Sequence, residues 1–176
     1  IDKDREWFNL HDVENVDKAI NSLLHGVRRS KNFAMRSEQL ECHDQFVSLW
    51  QNSASKRALM NAKCRYGKTF TTYQIIKSMG FKRVLVLTYK PTVDSEWRTD
   101  MENHIDFDGW TYYSAREDFD SKNPIILNGE GVEILFASFQ DLIDFNKKKW
   151  QIAKNYNFDL IVLDEYHFGT KTDNSQ

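Results

Sequence analysis

The fold is decided by the stretch Ala62-Lys63-Cys64-Arg65-Tyr66-Gly67-Lys68-Thr69. A short apolar run at 58–60 precedes it and predicts a strand, and a helical pattern begins at Lys68. From Ala62 to Thr69 the spacing is that of a phosphate-binding loop, with alanine in place of the first glycine. An ordinary strand–loop–helix corner that happens to contain Gly-Lys-Thr is the plainer alternative.

Each part of this loop has a physical role in binding a nucleoside triphosphate. Gly67 lets the backbone turn tightly enough for successive N–H groups to face a phosphate. The helix that follows presents its free N–H groups and its positive dipole end to the same anion. Lys68 adds a charge that can follow the β- and γ-phosphates, and the Thr69 hydroxyl is the expected Mg²⁺ ligand. We therefore predict nucleotide binding by residues 62–69, with Lys68 also catalytic.

A second polar motif follows the last apolar strand, which is predicted at 158–163. It reads Asp164-Glu165-Tyr166-His167. Because neighbours in a strand point to opposite sides, Asp164 and Glu165 need not compete for one partner. We expect Asp164 to hold Mg²⁺ through water, and Glu165 to deprotonate the water that attacks the γ-phosphorus. The alternative is a polar strand end that leads into a loop.

Apolar strands alternate with amphipathic helices along the chain. The predicted strands are 83–88, 110–113, 132–138 and 158–163, and the predicted helices are 33–52, 68–79, 140–154 and one that starts at Pro91. This alternation predicts an α/β fold with a doubly wound, mostly parallel sheet and helices on both faces. In such sheets the active site lies beyond the carboxyl ends of the strands, where Lys68 and Asp164 are both expected.

The predicted helix at 33–52 carries a polar pair near its start. Arg36 and Gln39 are three residues apart, so both project from the same side of the first turn. A glutamine amide has both a donor and an acceptor, which suits the paired edge of adenine, but a polar helix start is the simpler explanation. The apolar face of this helix is predicted to contain Leu40, Phe46, Val47, Leu49 and Trp50.

The chain is long enough for roughly one domain, since it has 176 residues. Residues 1–32 are interpreted as a helical lead-in, and residues 33–176 as one ATP-binding lobe. The basic residues Arg28, Arg29 and Lys31 are expected to form a solvated cluster at the end of the lead-in helix, with contact to a nucleic-acid backbone as the alternative.

The charge balance argues against a passive, charge-driven binder of nucleic acid, because the chain has 24 basic and 26 acidic residues and a net charge of −2. It leaves room for a local binding groove. The two cysteines have neither metal-ligand spacing nor a disulfide framework, which indicates a reducing cytoplasm. No apolar run approaches the roughly 18 residues of a membrane span, so no membrane is expected.

Taken together, these motifs resemble the first motor domain of superfamily 2 helicases and translocases. Residues 33–39 look like the adenine-reading Q-motif, 62–69 like motif I, 84–97 like motif Ia, 134–142 like a later strand-contact motif and 163–167 like a DEAH-type motif II. The likeness covers residues 33–170 and is closest to the motor subunits of type I and type III restriction enzymes and related phage or mobile-element helicases. Tyr166 departs from the small residue that the DEAH pattern has there.

The resemblance implies a RecA-like fold and a role for each matching residue. Gln39 and Arg36 would read adenine, residues 62–69 would bind ATP with Mg²⁺, and His167 would couple hydrolysis to motion. A nucleic-acid strand would be gripped by its backbone at Pro91, Thr92, Ser138 and Gln140. DNA is the expected track, with RNA left open, and the expected partners are a second motor lobe and nuclease or methyltransferase modules of the same system.

The resemblance also implies that the chain is a fragment, incomplete at its C-terminus. The next motif of the family is a strand that lies between those ending in motif I and motif II, and no candidate for it follows residue 167. The arginine fingers of the second lobe would also be missing. We therefore expect the full-length protein to be an ATP hydrolase, and this chain to bind nucleotide weakly and turn it over slowly or not at all.

Two other functions stay open at this point. A small P-loop kinase or simple NTPase would share residues 62–69, but the Q-motif and the DEAH-type tetrapeptide disfavour it. A non-catalytic nucleic-acid-binding module with a decayed ATP site is the other, and the intact Lys68, Thr69, Asp164 and Glu165 speak against decay.

Overall fold

The computed structural model describes residues 29, 31–54, 56–63, 65–118, 125–142 and 154–164. Most of the predicted lead-in therefore lies outside the described residues. The helices are α1 (Ser37–Asn52), α2 (Lys68–Met79), α3 (Asp94–Asn103) and α4 (Phe139–Leu142), with short 3-10 helices at Pro91–Val93 and Ile105–Phe107. The strands are β1 (Arg83–Thr88), β2 (Thr111–Ser114), β3 (Glu133–Ser138) and β4 (Leu160–Asp164).

The four strands form one sheet in the order β2-β3-β1-β4, and every neighbouring pair is parallel. This confirms the predicted α/β fold with a parallel sheet. Strand β1 lies inside the sheet, with β3 on one side and β4 on the other. Its continuous apolar sequence follows from this position, because Val84, Leu85 and Val86 are buried on alternating faces.

The two faces of the sheet are covered differently. On one face, Val84 and Val86 pack with Phe70 and Tyr73 of α2 and with Trp97 of α3. On the other face, Leu85 of β1 and Leu135 of β3 are buried. They pack against the 125–127 segment and against two aromatic residues that precede β4. These partners are Ile125, Leu127, Tyr156 and Phe158. The helix predicted at 140–154 is described only near its ends, since residues 143–153 lie outside the described part.

The connection from α2 to β1 is short, so α2 runs antiparallel to β1 and its first residues lie near the carboxyl end of that strand. Gly80 ends α2 in the left-handed conformation, with φ of 67°, and β1 begins three residues later at Arg83. A helix of twelve residues is about 18 Å long, and a strand of six is about 20 Å long. Because α2 runs back along β1, Lys68 lies towards the carboxyl edge, where Thr88 of β1 is in register with Asp164 of β4.

The strand predicted before the phosphate loop is wrong. Residues 56–60 form no strand, and Leu59 is 82% exposed. A strand requires a hydrogen-bonding neighbour, and no described strand pairs with the outer edge of β4, which ends the sheet.

Two side-chain predictions also need correction. Leu40 was expected on the apolar face of α1 but is 47% exposed. The side chains that turn inward from this part of the helix are Gln39 and His43, four residues apart and therefore on one face. Arg29 is not solvated, because its guanidinium donates to the carbonyls of Met101 and His104 and pairs with Asp108.

None of the described helices is both long and apolar enough to cross a membrane.

A buried carboxylate anchors the start of α3 to the end of β2. Asp94 is 6% exposed, and its two oxygens accept hydrogen bonds from the hydroxyls of Tyr112 and Ser114. Burial raises the pKa of the Tyr112 phenol well above its usual value, so the hydroxyl stays protonated and remains a donor. Removing the carboxylate would leave two buried hydroxyls without this acceptor.

We predict that Asp94→Ala lowers the free energy of unfolding by about 1–3 kcal/mol, since the Ser114 hydroxyl loses its buried acceptor whereas Tyr112 keeps the main-chain carbonyl of residue 94. Urea unfolding followed by circular dichroism measures this loss. Glu96→Ala is the matched control, because Glu96 is an exposed carboxylate on the same helix and should change stability by less than about 0.5 kcal/mol. Equal stability of the two variants would contradict the anchoring role of Asp94.

The buried His104 makes stability depend on pH. Its Nε2 lies 3.0 Å from the Phe33 carbonyl, and its Nδ1 accepts the Asp106 N–H at 3.2 Å. Burial lowers the pKa of His104 below its usual 6.5, although the hydrogen bond to Phe33 acts in the opposite direction. The imidazole is therefore neutral in the folded chain under conditions where the unfolded chain already binds a proton.

We predict that the free energy of unfolding falls as the pH drops below about 6.5, because protons then bind the unfolded state in preference. Above that pH the contribution of His104 is fully present, since the imidazole is neutral in both states. In His104→Gln this part of the pH dependence should disappear. Urea midpoints measured from about pH 7.5 to 5.5 test the difference, and identical slopes in the two proteins would refute it.

Candidate nucleotide site

The phosphate loop contains a glycine, Gly67, whose backbone conformation disfavours any other residue. Gly67 has a φ of 89°, and a Cβ there would lie 2.5 Å from Nε2 of Gln39. Gly67 is also the N-cap residue of α2, and no side chain caps this helix end. The first N–H groups of α2 are therefore left without a side-chain acceptor, which is the arrangement that binds a phosphate.

The same loop contains a second left-handed residue, which the sequence did not reveal. Arg65 has a φ of 62°, and it is the only non-glycine residue with positive φ in the described part of the chain. Such a conformation costs free energy and persists only where the surroundings impose it. Ala62, Lys63 and Arg65 lie in or beside this turn, and Cys64 lies outside the described residues.

The polar pair of α1 contacts the phosphate loop directly. Gln39 is only 5% exposed; its Oε1 accepts the Arg36 N–H at 2.9 Å, and its Nε2 donates to the Tyr66 carbonyl at 2.7 Å. The Arg36 guanidinium donates to the same carbonyl. The structure thus brings the two predicted adenine readers together with the predicted phosphate loop.

The Tyr66 side chain forms a further hydrogen bond between the phosphate loop and α1. Its hydroxyl donates to the Glu38 carbonyl at 2.7 Å. Burial, together with the neighbouring Cys42 thiol, raises the pKa of Tyr66 to about 12. The phenol therefore stays protonated near neutral pH and holds the loop against the first turn of α1.

The three threonines at the start of α2 differ in whether their hydroxyl groups donate hydrogen bonds within the helix. Thr71 donates its hydroxyl to the Gly67 carbonyl at 3.0 Å, and Thr72 donates to the Lys68 carbonyl at 2.8 Å. Among the contacts of the described residues, the Thr69 hydroxyl makes no hydrogen bond. Its oxygen is therefore available to a ligand, and Lys68 beside it is exposed.

Asp164 ends β4, on the face of the sheet that α2 and α3 cover. Its Oδ2 accepts a hydrogen bond from the indole Nε1 of Trp97 at 3.1 Å. Trp97 in turn accepts, through its main-chain carbonyl, the hydroxyl of Tyr73 at 2.9 Å. In the sequence Trp97 is the last residue of the stretch 84–97 that resembles motif Ia, and no signal in the pattern indicated its contact with Asp164.

The donors at this site fit Mg²⁺ bound together with a nucleotide. The described residues contain no cluster of three or more His, Cys, Asp or Glu that could hold a metal ion alone. A hydroxyl and a carboxylate, completed by phosphate oxygens and water, are the ligands that Mg²⁺ takes in nucleotide sites. Thr69 and Asp164 carry these two kinds of group, while Glu165, Tyr166 and His167 lie outside the described residues.

The residues expected to grip nucleic acid also lie at the carboxyl edge of the sheet. Thr92 is exposed within the 3-10 helix that follows β1, and Gln140 is exposed in α4, directly after β3. Ser138 ends β3 and is buried. The rings of Tyr89 and Phe139 join the two segments, with their centroids 4.9 Å apart. Of the expected contact points, Thr92 and Gln140 are exposed whereas Ser138 is not.

Comparison with known proteins is consistent with this arrangement. No solved structure matches the chain significantly. One curated relative is described as the C-terminus of a putative type II restriction enzyme and methyltransferase, RM.MpnORF110P, of Mycoplasma pneumoniae. It is 29% identical over 161 residues, which are 85% of this chain and 22% of the relative's length.

A family described as the res subunit of type III restriction enzymes matches residues 32–176. The match extends from the residues just before α1 to the end of the chain, and so includes the phosphate loop and Asp164. The parallel sheet of the structure agrees with the RecA-like lobe of that family. The chain therefore belongs to the family of type III restriction enzyme res subunits.

Proposed function

We propose that the chain is the ATP-binding motor lobe of an ATP-dependent DNA helicase or translocase in a restriction system. In the complete protein, hydrolysis of ATP with Mg²⁺ would drive movement along DNA. The observation that carries this proposal is the contact of Arg36 and Gln39 with the Tyr66 carbonyl, one residue before the glycine that opens α2. A Gly-Lys-Thr sequence that occurred by chance in a strand–loop–helix turn would not be expected to form hydrogen bonds with the residues that resemble the Q-motif.

The proposed chemistry assigns one task to each side chain. Lys68 would approach the β- and γ-phosphates and offset the charge that develops in the transition state. Thr69 and Asp164 would hold Mg²⁺, directly and through water, and the bound ion would neutralise the phosphate oxygens. Glu165 would take the proton of the attacking water, and His167 would couple hydrolysis to movement.

Gln39 can read adenine without releasing the loop. An amide nitrogen carries two hydrogens and an amide oxygen has two lone pairs. One hydrogen of Nε2 is used by the Tyr66 carbonyl, and one lone pair of Oε1 is used by the Arg36 N–H. Each atom therefore retains one position for the base, so adenine contact and loop contact can coexist.

The assignment of DNA as the track rests on the restriction-enzyme descriptions of the family and of the relative. Pro91, Thr92 and Gln140 would contact the backbone of one strand through hydroxyl, amide and main-chain groups, whereas Ser138 is buried and is not part of this contact. Such contacts need little positive charge, which is compatible with the net charge of −2.

In the proposed restriction system, this lobe would act together with a second motor lobe and with nuclease or methyltransferase modules. Residues 1–32 would be its helical lead-in, and this chain alone would turn ATP over slowly or not at all.

We predict that Lys68→Ala weakens binding of a fluorescent ATP analogue at least tenfold, because a charge-assisted contact to phosphate is worth roughly 1.5–3 kcal/mol. Equilibrium fluorescence anisotropy measures the dissociation constant. Lys82→Ala is the control, since Lys82 is an exposed lysine beyond the far end of α2. Unchanged affinity in Lys68→Ala, or no binding by the natural chain, would refute the proposed nucleotide site.

We also predict that Gln39→Ala reduces the preference for ATP over GTP, by on the order of tenfold, because the bidentate contact to adenine is lost. Competition of each nucleotide against the fluorescent analogue gives the ratio of affinities. Gln45→Ala, which removes an exposed glutamine from the same helix, should leave that ratio unchanged. A ratio near one in the natural chain would mean that Gln39 does not read the base.

A further inference from the structure

Trp97 connects the phosphate-loop helix to the carboxylate at the end of β4. It lies on α3, its carbonyl accepts the Tyr73 hydroxyl of α2, and its indole donates to Asp164. Three elements that are distant in sequence are thus connected through one residue. Neither Trp97 nor Tyr73 belongs to the motifs from which the nucleotide site was predicted.

The indole makes the two oxygens of Asp164 inequivalent. An indole N–H donates and cannot accept, so it engages one carboxylate oxygen and offers nothing to a cation. Oδ2 is the engaged oxygen, at 3.1 Å. Within the described part of the chain Asp164 has no other hydrogen-bond partner, so Oδ1 is the oxygen left for a metal ion or its water.

Trp97 is itself held in one position. It is 3% exposed, and the Tyr73 ring meets it edge-on at 5.4 Å and 89°. One turn earlier on the same helix, Asp94 is bonded to Tyr112 and Ser114. Burial raises the pKa of Tyr73 well above its usual value, so its hydroxyl remains a donor to the Trp97 carbonyl. A donor fixed by packing and by two hydrogen-bonded neighbours can fix the carboxylate that it contacts.

We infer that Trp97 is a positioning residue of the metal site: its indole N–H fixes the Asp164 carboxylate in the orientation that receives Mg²⁺ bound with the nucleotide. The inference rests on the proposed function, since it presumes that Asp164 holds the ion. It assigns Trp97 no contact with nucleotide or metal. Its effect is therefore on the affinity for Mg²⁺ and not on the affinity for the nucleotide alone.

The test separates these two affinities in the chain itself. Binding of a fluorescent ATP analogue is measured first in excess EDTA and then during a Mg²⁺ titration. For Trp97→Phe we expect the dissociation constant in EDTA to stay within twofold, and the half-saturating Mg²⁺ concentration to rise about tenfold, as for other residues that orient metal ligands. Trp110→Phe is the matched control, because Trp110 packs edge-on against the same Tyr73 ring at 5.9 Å and 89°; it should change neither value.

A second variant keeps the test valid if Trp97→Phe folds poorly. Replacing Trp97 with 3-benzothienylalanine preserves the shape of the ring and substitutes sulfur for the N–H group, and it should show the same weakened response to Mg²⁺. If this variant had the same half-saturating Mg²⁺ concentration as the unmodified chain, the inference would be overturned while the proposed function stayed intact. Loss of nucleotide binding in EDTA would also overturn it, since Trp97 would then act on the phosphate loop by packing. Absence of nucleotide binding by the natural chain would instead remove the proposed function itself.

Discussion

The parallel pairing of β1 with β3 and β4 is the constraint on which the rest of the structure depends. A parallel ladder aligns the carboxyl ends of its strands, so Thr88, Ser138 and Asp164 lie side by side at one edge. The burial of β1 on both faces matches its continuous apolar sequence, because a strand inside a parallel sheet is covered on both sides. Asp164 lies on the edge that this pairing defines, and Thr92 and Gln140 lie in the segments that follow β1 and β3 there.

Hydrogen bonds to main-chain carbonyls secure the groups around that edge. Gln39 and Arg36 hold the Tyr66 carbonyl, and Tyr73 holds the carbonyl of Trp97. A carbonyl that accepts such a hydrogen bond is held in place, and each bond contributes roughly 0.5–1.5 kcal/mol. The phosphate loop and α3 are thereby fixed from outside the sheet, which leaves Lys68, Thr69 and one oxygen of Asp164 available for a ligand.

The left-handed Arg65 and Gly67 show how the loop differs from an ordinary corner. Glycine adopts this conformation at little cost, whereas arginine does so only under constraint. Arg65 lies in a tight turn of this loop, in which the Tyr66 N–H donates a hydrogen bond to the Lys63 carbonyl at 3.2 Å. Strain of this kind is found where a backbone is shaped for a ligand, and a sequence pattern gives no sign of it.

The sequence by itself determined the features that local chemistry controls. The apolar runs of β1, β3 and β4, the helix from Lys68 to the stop at Gly80, and the positions of the phosphate loop and Asp164 all follow from nearest-neighbour patterns. Only the tertiary structure decided the rest. Residues 58–60 lack a strand because strand formation depends on a neighbour and not on the segment itself, and Leu40 faces outward because α2 packs on the face of Gln39 and His43. The bond from Trp97 to Asp164 joins residues 67 apart in sequence, and such a contact is set by sheet register and helix packing, which no local pattern encodes.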